Sequence, residues 1–284
     1  MHTNLIPGLS AVVDDYDLFL IDQWGVLHDG ENLHDGALHT LQELRKTGKT
    51  VIILSNSGKR VEDSYARMER MGITRDLYDH VVTSGELVYR NFQAKEDPVF
   101  KSLGRKFIAF TWGEANISVA EGSGHEKVDS VEEADFILCT GTDQGDLEYY
   151  RPFLEKALER KLPLICANPD FVSVAPDGSL NMCPGMVAKE YEDMGGTVRW
   201  HGKPLLETYE YCKSLAPGCD RILGIGDSLR HDVKGANDAG GHSLFVCGGI
   251  HDHEIGHPPS HVALANLFDI YGIEPTYSVE KFRW

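Results

Sequence analysis

Short, continuously apolar runs alternate along this chain with longer segments whose apolar residues follow a helical spacing. Continuous rather than alternating hydrophobicity is typical of strands that are covered on both faces in a parallel sheet. Such runs lie at 17–21, 50–55, 80–84, 106–111, 135–140, 162–167, 221–227 and 243–247. Amphipathic segments lie at about 36–47, 60–71, 85–92, 146–160, 185–195, 203–216 and 229–239. This alternation predicts an α/β fold built on a doubly wound parallel sheet.

Length and charge limit what the chain can bind. Its 284 residues, 42% of them hydrophobic, are enough for a sizeable core and favour two domains. The formal net charge of −17 repels phosphate backbones and anionic lipids, which argues against nucleic-acid and membrane-surface partners. An anionic ligand must therefore be held by a metal ion or by locally placed cations.

Cysteine usage and the terminal sequence bear on the compartment. The six cysteines form no CxxC pair, which suits a reducing environment better than a disulfide framework. The first residues lack a basic segment followed by an apolar core, and the apolar runs are too short to cross a bilayer. We therefore expect a cytoplasmic protein.

Polar residues stand at the ends of several of these apolar runs. Asp22 follows the first run, "SNS" at 55–57 ends the second, and "GDS" at 226–228 ends the seventh, while "GK" stands at 202–203. In doubly wound folds the chemistry gathers at the carboxyl ends of the strands. A single serine at such a place can equally be a helix N-cap. Four polar stretches in order instead predict one site with two carboxylates, a hydroxyl, an amide and a lysine.

These stretches resemble the motifs of the haloacid dehalogenase (HAD) superfamily of aspartate-nucleophile hydrolases, over nearly the whole chain. "LIDQWGVL" around Asp22 is similar to the first motif and "LSNS" at 54–57 to the second. "HGKP" at 201–204 is similar to the third, and "GIGDSLRHDVKGA" at 224–236 to the fourth. The resemblance implies a Rossmann-like HAD core as the main domain.

The long stretch between the second and third motifs resembles the large α/β cap of the NagD-like branch, subfamily IIA. This implies a core domain of residues 1–85 and 183–284, with an inserted cap domain at 86–182. By resemblance, Asn168 and Asp170 of the cap contribute to specificity. Dimers formed through the cap are common in such relatives, so the resemblance also allows a homodimer.

The resemblance assigns the nucleophile and the phosphate-binding residues. Asp22 is expected to take up a phosphoryl group and release it to water, which divides one difficult step into two. Ser55 and the Asn56 backbone N–H are expected to bind phosphoryl oxygens, and Lys203 to balance the charge between nucleophile and phosphate.

The acidic residues imply a metal ion. Mg²⁺ prefers oxygen ligands in octahedral geometry, which fits Asp22, Asp227 and one backbone carbonyl. By resemblance that carbonyl belongs to Trp24, and Asp232 orients a metal-bound water. The NagD-like branch is known mainly for phosphatases of small phosphorylated metabolites. The implied activity is therefore a Mg²⁺-dependent phosphatase with an aspartyl-phosphate intermediate and a small-molecule substrate.

Trp24 departs from the family pattern. In the family's phosphatases this position usually carries a second aspartate that protonates the leaving group, whereas an indole N–H is only a donor. His28 and His201 are candidate replacements, since histidine titrates near neutrality; a substrate with its own acid or with a good leaving group is another solution. Two alternatives to the phosphatase follow: a HAD-fold hydrolase of a different bond, and a ligand-binding pseudoenzyme.

Overall fold

The computed structural model describes residues 4–112, 114–175 and 177–284, without the side chains of 114–116. The strands are β1 Leu18–Ile21, β2 Thr50–Ser55, β3 His80–Thr83, β4 Lys106–Phe110, β5 Glu126–Lys127, β6 Phe136–Cys139, β7 Leu164–Cys166, β8 Val172–Val174, β9 Leu180–Met182, β10 Val198–Trp200, β11 Ile222–Gly226, β12 His242–Val246 and β13 Tyr277–Val279.

The α-helices are α1 Ala37–Lys46, α2 Val61–Arg70, α3 Ser84–Ala94, α4 Pro98–Ser102, α5 Leu147–Glu159, α6 Pro184–Asp193, α7 Leu206–Leu215, α8 Lys234–Asp238, α9 Asp252–Ile255 and α10 His261–Tyr271. A π-helical turn, Leu229–Val233, leads into α8. Short 3₁₀ helices lie at Leu9–Ala11, Val13–Asp15, Arg75–Leu77 and Glu114–Ala120. Among the described residues no helix is long and apolar enough to span a membrane.

The first sheet has the strand order β13-β12-β11-β1-β2-β3, and each neighbouring pair is parallel. Ile21 of β1 lies opposite Ile225 of β11 and Ile53 of β2. This register brings the carboxyl ends of the three central strands to one edge. The predicted α/β fold with a parallel sheet is confirmed.

Both faces of the first sheet are buried, as its continuous apolar strands predict. On β1, Phe19 and Ile21 belong to one apolar cluster, while Leu18 and Leu20 belong to the cluster on the opposite face. All four side chains are at most 2% exposed. Burial of apolar surface stabilises a fold by roughly 25 cal/mol per Å². These strands therefore form a stable frame for the residues at their ends.

The second sheet has the strand order β10-β7-β6-β4-β5, again with parallel neighbours. The antiparallel hairpin β8–β9 follows β7. Strand β10 pairs with β7, and Val187 and Tyr191 of α6 pack in the same apolar cluster as residues of β7. The expected boundary at residue 183 therefore separates α6 and β10 from the sheet they pack on. The division into two domains stays a prediction, and we propose to move this boundary to about residue 201.

Candidate active site

Asp22, Lys203 and Asp232 form a buried charged group at the carboxyl edge of the first sheet. The Lys203 ammonium lies 2.9 Å from Asp22 Oδ1 and 2.6 Å from Asp232 Oδ1. Asp22 directly follows β1, Lys203 precedes α7, and Asp232 lies in the π-helical turn. Residues from distant parts of the chain thus meet at this edge of the sheet, where the strand ends predict them.

The electrostatics of this group follow from burial. Burial raises the pKa of Asp22 to about 7, and the nearby Asp232 adds to this, although Lys203 acts in the opposite direction. Burial works against the charged form of Lys203, but the carboxylates of Asp22 and Asp232 outweigh it and raise the Lys203 pKa. One lysine cannot fully compensate so many buried carboxylates.

Asp227 joins the group from the end of β11. One carboxylate oxygen each from Asp22, Asp227 and Asp232 lies within 4.8 Å of the others. Burial raises the pKa of Asp227 well above its ordinary value, and the charges of Asp22 and Asp232 raise it further. Its Oδ2 accepts a hydrogen bond from the Ile250 amide at 2.9 Å.

The contacts of the individual oxygens separate their roles. Asp232 Oδ1 contacts Lys203 and its Oδ2 accepts from the Ser228 amide at 3.1 Å, which suits an indirect role through water. Asp22 Oδ1 contacts Lys203 and accepts from the Gln23 amide at 2.8 Å. Within the described chain, Asp22 Oδ2 and the Trp24 carbonyl oxygen accept no hydrogen bond, so both are open to a ligand.

Glycine is required where the main chain approaches these carboxylates. A Cβ on Gly25, whose φ is +76°, would lie 2.1 Å from Asp227 Oδ2. A Cβ on Gly226 would lie 1.9 Å from Asp232 Cγ. No side chain fits at either position, so the "WG" and "GIGD" spacings are direct consequences of packing around the carboxylates.

Asn56 connects the second and third motifs. Its Oδ1 accepts from the Lys203 amide at 2.7 Å, and its Nδ2 donates to the Lys203 carbonyl oxygen at 3.2 Å. The Ser84 hydroxyl donates to Oδ1 as well, at 3.3 Å. Ser55, at the end of β2, is buried, and its hydroxyl accepts from the Ser57 amide at 3.3 Å. The expected phosphate-binding residues thus adjoin Lys203.

A cavity of about 630 Å³ lies over this edge. Its floor includes Asp22, Asp227 and Asp232, and its opposite wall includes the hairpin β8–β9. Asn168 and Asp170 line it from the loop after β7, and Asn168 Oδ1 accepts from the Asp170 amide at 3.0 Å. Both residues expected to contribute to specificity therefore face the same cavity as the carboxylates.

His28 and His201, the candidate acids, do not line this cavity. His28 is fully buried and its Nδ1 accepts from the Gly30 amide at 3.1 Å. His201 lies between the Asn91 amide nitrogen at 3.0 Å and the Cys166 carbonyl oxygen at 3.2 Å. Burial lowers the pKa of His28 to about 4 and that of His201 to about 3, so both are neutral. Both rings are buried and held by contacts within the protein, which argues against either histidine as the acid.

Arg67 and His231 line the cavity although the sequence did not predict them as site residues. His231 Nδ1 lies 3.2 Å from Asp170 Oδ1 and 3.1 Å from the Ser228 hydroxyl. Its position directly before Asp232 in the fourth motif is the one sequence signal that pointed to it. Arg67 lies in α2, outside every motif, and its presence in the wall depends on tertiary packing alone.

Comparisons with known proteins agree with this geometry. A model of haloacid dehalogenase-like hydrolases matches residues 19–125, and a HAD-hydrolase-like model matches residues 200–269. A solved hydrolase of the haloacid dehalogenase-like family from Brucella suis 1330 is 32% identical and has a TM-score of 0.81. That alignment covers 98% of this chain and 100% of that chain.

Two further relatives are more distant. The Arabidopsis thaliana protein named phosphoglycolate phosphatase 2 is 27% identical over 265 residues, which cover 86% of each chain. A glycerol phosphate phosphatase from Mycobacterium tuberculosis, solved in complex with magnesium, is 21% identical with a TM-score of 0.67. It covers 99% of this chain and 78% of that chain, and at this identity it shows the fold alone. The resemblance inferred from the four motifs is confirmed: this chain is a hydrolase of the haloacid dehalogenase-like family.

Proposed function

We propose that this chain is a phosphatase of small phosphorylated metabolites that acts through an aspartyl-phosphate on Asp22. The observation that carries the proposal is the contact of Lys203 with both Asp22 and Asp232, within reach of Asp227. A nucleophilic carboxylate, a charge-balancing lysine and two further acids on one strand edge suit phosphoryl transfer.

Asp22 Oδ2 is the attacking atom in this proposal, because Oδ1 is held by Lys203 and the Gln23 amide. Its attack on phosphorus breaks the bond to the ester oxygen, which leaves as an alkoxide or aryloxide and takes a proton from water. Water then cleaves the acyl phosphate and regenerates the carboxylate. Ser55, the Asn56 amide and Lys203 bind the phosphoryl oxygens during both steps.

The donor set fits Mg²⁺. Asp22 and Asp227 would supply hard oxygen ligands and the Trp24 carbonyl oxygen is open, while both oxygens of Asp232 already have contacts, with Lys203 and the Ser228 amide. When bound, the ion supplies the positive charge that the buried carboxylates and a phosphate dianion together lack. The Mycobacterium tuberculosis phosphatase was solved with magnesium, which supports the same choice here.

The cavity supports a small substrate. About 630 Å³ beneath the hairpin β8–β9 admits a metabolite and excludes a folded phosphoprotein. The Arabidopsis thaliana relative is named for phosphoglycolate, a molecule of this size. All six cysteines are unpaired thiols, which supports the expected cytoplasmic location.

Trp24 favours a second candidate, a hydrolase whose leaving group needs no proton. The indole stands where the family's phosphatases usually carry an acid, and neither His28 nor His201 lines the cavity. Such an enzyme would cleave acyl or aryl phosphates, or a bond other than a phosphate ester. It would use the same Asp22 nucleophile.

A panel of alkyl, aryl and acyl phosphates, assayed with Mg²⁺ and with excess EDTA after metal removal, tests both candidates. The phosphatase proposal expects alkyl phosphates to be hydrolysed with Mg²⁺ and no turnover in EDTA. Hydrolysis of acyl and aryl phosphates alone favours the second candidate. Folded protein that cleaves no phosphate contradicts the phosphatase, and undiminished turnover in EDTA contradicts the metal site. Asp22→Asn, assayed in parallel, controls for contaminating phosphatases.

A further inference from the structure

Trp24 forms a platform in the cavity wall. Its indole packs edge-on against the His28 ring, with centroids 5.3 Å apart. Gly30 leaves room for it, because a Cβ there would lie 2.3 Å from Trp24 Cη2. On the indole ring lies the Arg67 guanidinium, whose Cζ is 5.0 Å from the ring centroid. The segment "WGVLHDG" therefore holds an indole that in turn carries a cation.

Among the residues that the structure describes, no carboxylate lies within ion-pair distance of Arg67. In the described part of the chain its guanidinium makes no ion pair, although Asp63 stands one helical turn earlier in α2. Arg60, just before α2, by contrast lies 2.6 Å from Glu86. Burial, with a contribution from Arg70, lowers the pKa of Arg67, and the charge of Asp63 offsets this only in part.

Lys59 increases the positive charge at the same wall. It lines the cavity next to Ser57, and no carboxylate pairs with its ammonium among the described residues. The acids on the cap side are differently placed: Asp170 contacts Asn56 and His231, and Asp143 accepts from the Tyr150 hydroxyl at 3.3 Å.

These cations exceed what one phosphate requires. Lys203, Ser55 and the Asn56 amide already serve the phosphoryl group in the proposed reaction. In a chain with a net charge of −17, three further cations line the same cavity, Lys59, Arg67 and Arg230, and none forms an ion pair among the described residues. Such a surplus of positive charge needs another reason. A planar guanidinium offers paired N–H donors to a carboxylate or a phosphate, and its stacking on Trp24 holds the fork in place.

We propose that Arg67, supported on Trp24, binds a second anionic group of the substrate. The substrate is then a small phosphate monoester that carries a carboxylate or a second phosphate at its other end. This inference rests on the proposed phosphatase function and narrows its substrates to esters with an anionic group at each end. It gives Trp24 a binding role at the position where the acid is missing.

Matched pairs of esters test the inference. In the first pair, 2-phosphoglycolate carries a carboxylate where its amide carries an uncharged group. In the second pair, propane-1,3-diol bisphosphate carries a second phosphate that propyl phosphate lacks. In one of the pairs we expect the wild type to prefer the ester with the second anionic group by about 10- to 100-fold in kcat/KM. The pair that shows the preference identifies the carboxylate or the phosphate as the recognised group.

The variants are Arg67→Gln, Arg67→Lys and, as a matched control, Arg90→Gln. Arg90 lies over the Tyr211 ring at 4.8 Å, the same stacked chemistry outside the cavity. Arg67→Gln should reduce the preference at least about 10-fold, mainly through KM, and Arg67→Lys should retain part of it. Arg90→Gln should keep the wild-type preference. A wild type without preference, or an Arg67→Gln that keeps it, overturns the inference.

Binding separates this inference from the proposed function. Titration of the same ester pairs into Mg²⁺-loaded Asp22→Asn, with and without Arg67→Gln, measures affinity without turnover. If no ester is hydrolysed by the wild type but the charged esters bind in an Arg67-dependent way, the phosphatase proposal fails and the anion site stands. Equal affinity for the esters with and without the second anionic group contradicts the anion site, whatever the activity.

Discussion

Asn56 and Asp170 join the two sheets, the Asn56 amide nitrogen donating to Asp170 Oδ1 at 2.8 Å. Asn56 follows β2 of the first sheet, whereas Asp170 lies between β7 and the hairpin β8–β9. Because Asn56 also accepts from the Lys203 amide, the contact holds the loop after β7 against Asn56 and Lys203, next to Asp22.

Asp170→Ala should weaken this contact. A hydrogen bond to a carboxylate contributes about 1.5–3 kcal/mol, so we expect KM for the best phosphate substrate to rise about 10-fold. Amides of residues 168–174 should exchange faster with solvent, as measured by mass spectrometry. Asp143→Ala is the control, since Asp143 lines the same cavity but its hydrogen bond goes to Tyr150 of the second sheet's own helix. Equal effects of both variants would contradict the role assigned to the contact.

Asp22→Asn should abolish turnover and leave the fold intact. The amide is nearly isosteric but is a poor nucleophile, so we expect a loss of at least about 10³-fold in kcat. Asp17, just before β1, provides the matched control, because its carboxylate pairs with Arg221 at the opposite end of the strand. Asp17→Asn should keep turnover. Activity and melting temperature are measured together, and retained activity in Asp22→Asn assigns it a structural role.

Trp24→Asp should raise the turnover of alkyl phosphates relative to aryl phosphates. A carboxyl group at this position can protonate an alkoxide, and general acid help is typically worth about 10²–10⁴-fold. The variant also removes the indole beneath Arg67. KM for esters with a second anionic group should therefore rise, together with the alkyl-to-aryl ratio in kcat. His28→Ala should leave that ratio unchanged, because His28 does not line the cavity. A ratio that falls in His28→Ala would instead make His28 the acid.

The buried neutral His28 predicts acid sensitivity. Its pKa falls from 6.5 to about 4 on folding, so the unfolded chain binds the extra proton between these values. The contribution of neutral His28 to the free energy of unfolding is fully present above pH 6.5. It falls by on the order of 3 kcal/mol as the pH drops toward 4. His28→Asn keeps an acceptor near Nδ1 and cannot titrate. Its unfolding free energy, measured by denaturant titration from pH 7 to 4, should depend less on pH than that of the wild type; an unchanged slope contradicts this assignment.

The predicted strands and the observed ones agree where the sequence is continuously apolar. Each of the eight apolar runs contains a strand, since burial on both faces leaves a clear local pattern. The strands missed are β5, β8, β9, β10 and β13, which have two or three residues each and include partly exposed positions. So short a strand depends on its neighbour for its conformation, and no local pattern reveals it.

Helix α10 was missed for a different reason. Its sequence "HVALANLFDIY" is apolar on more than one face, and Val262 and Ile270 are 71% and 77% exposed. The helical spacing that marks a one-sided helix is therefore obscured.

The residues of the candidate site also divide into those that the sequence could predict and those that it could not. Asp22 and Asp227 could be located because each ends a buried strand, and parallel strands bring such ends together. Arg67 could not, because its place in the wall depends on how α2 packs beside Trp24. Chemistry tied to strand ends is local in sequence, whereas the remainder of a cavity is made by tertiary contacts.

Only His201 and Gly202 separate the last strand of the second sheet, β10, from Lys203. His201 is held by Asn91 and Cys166, and Lys203 by Asn56, so Gly202 with its φ of +97° is the link left between two anchored residues. The second sheet and the charged group beside Asp22 are therefore joined here through a single glycine. The position of the Lys203 ammonium beside Asp22 depends on the anchors on both sides of that glycine at once.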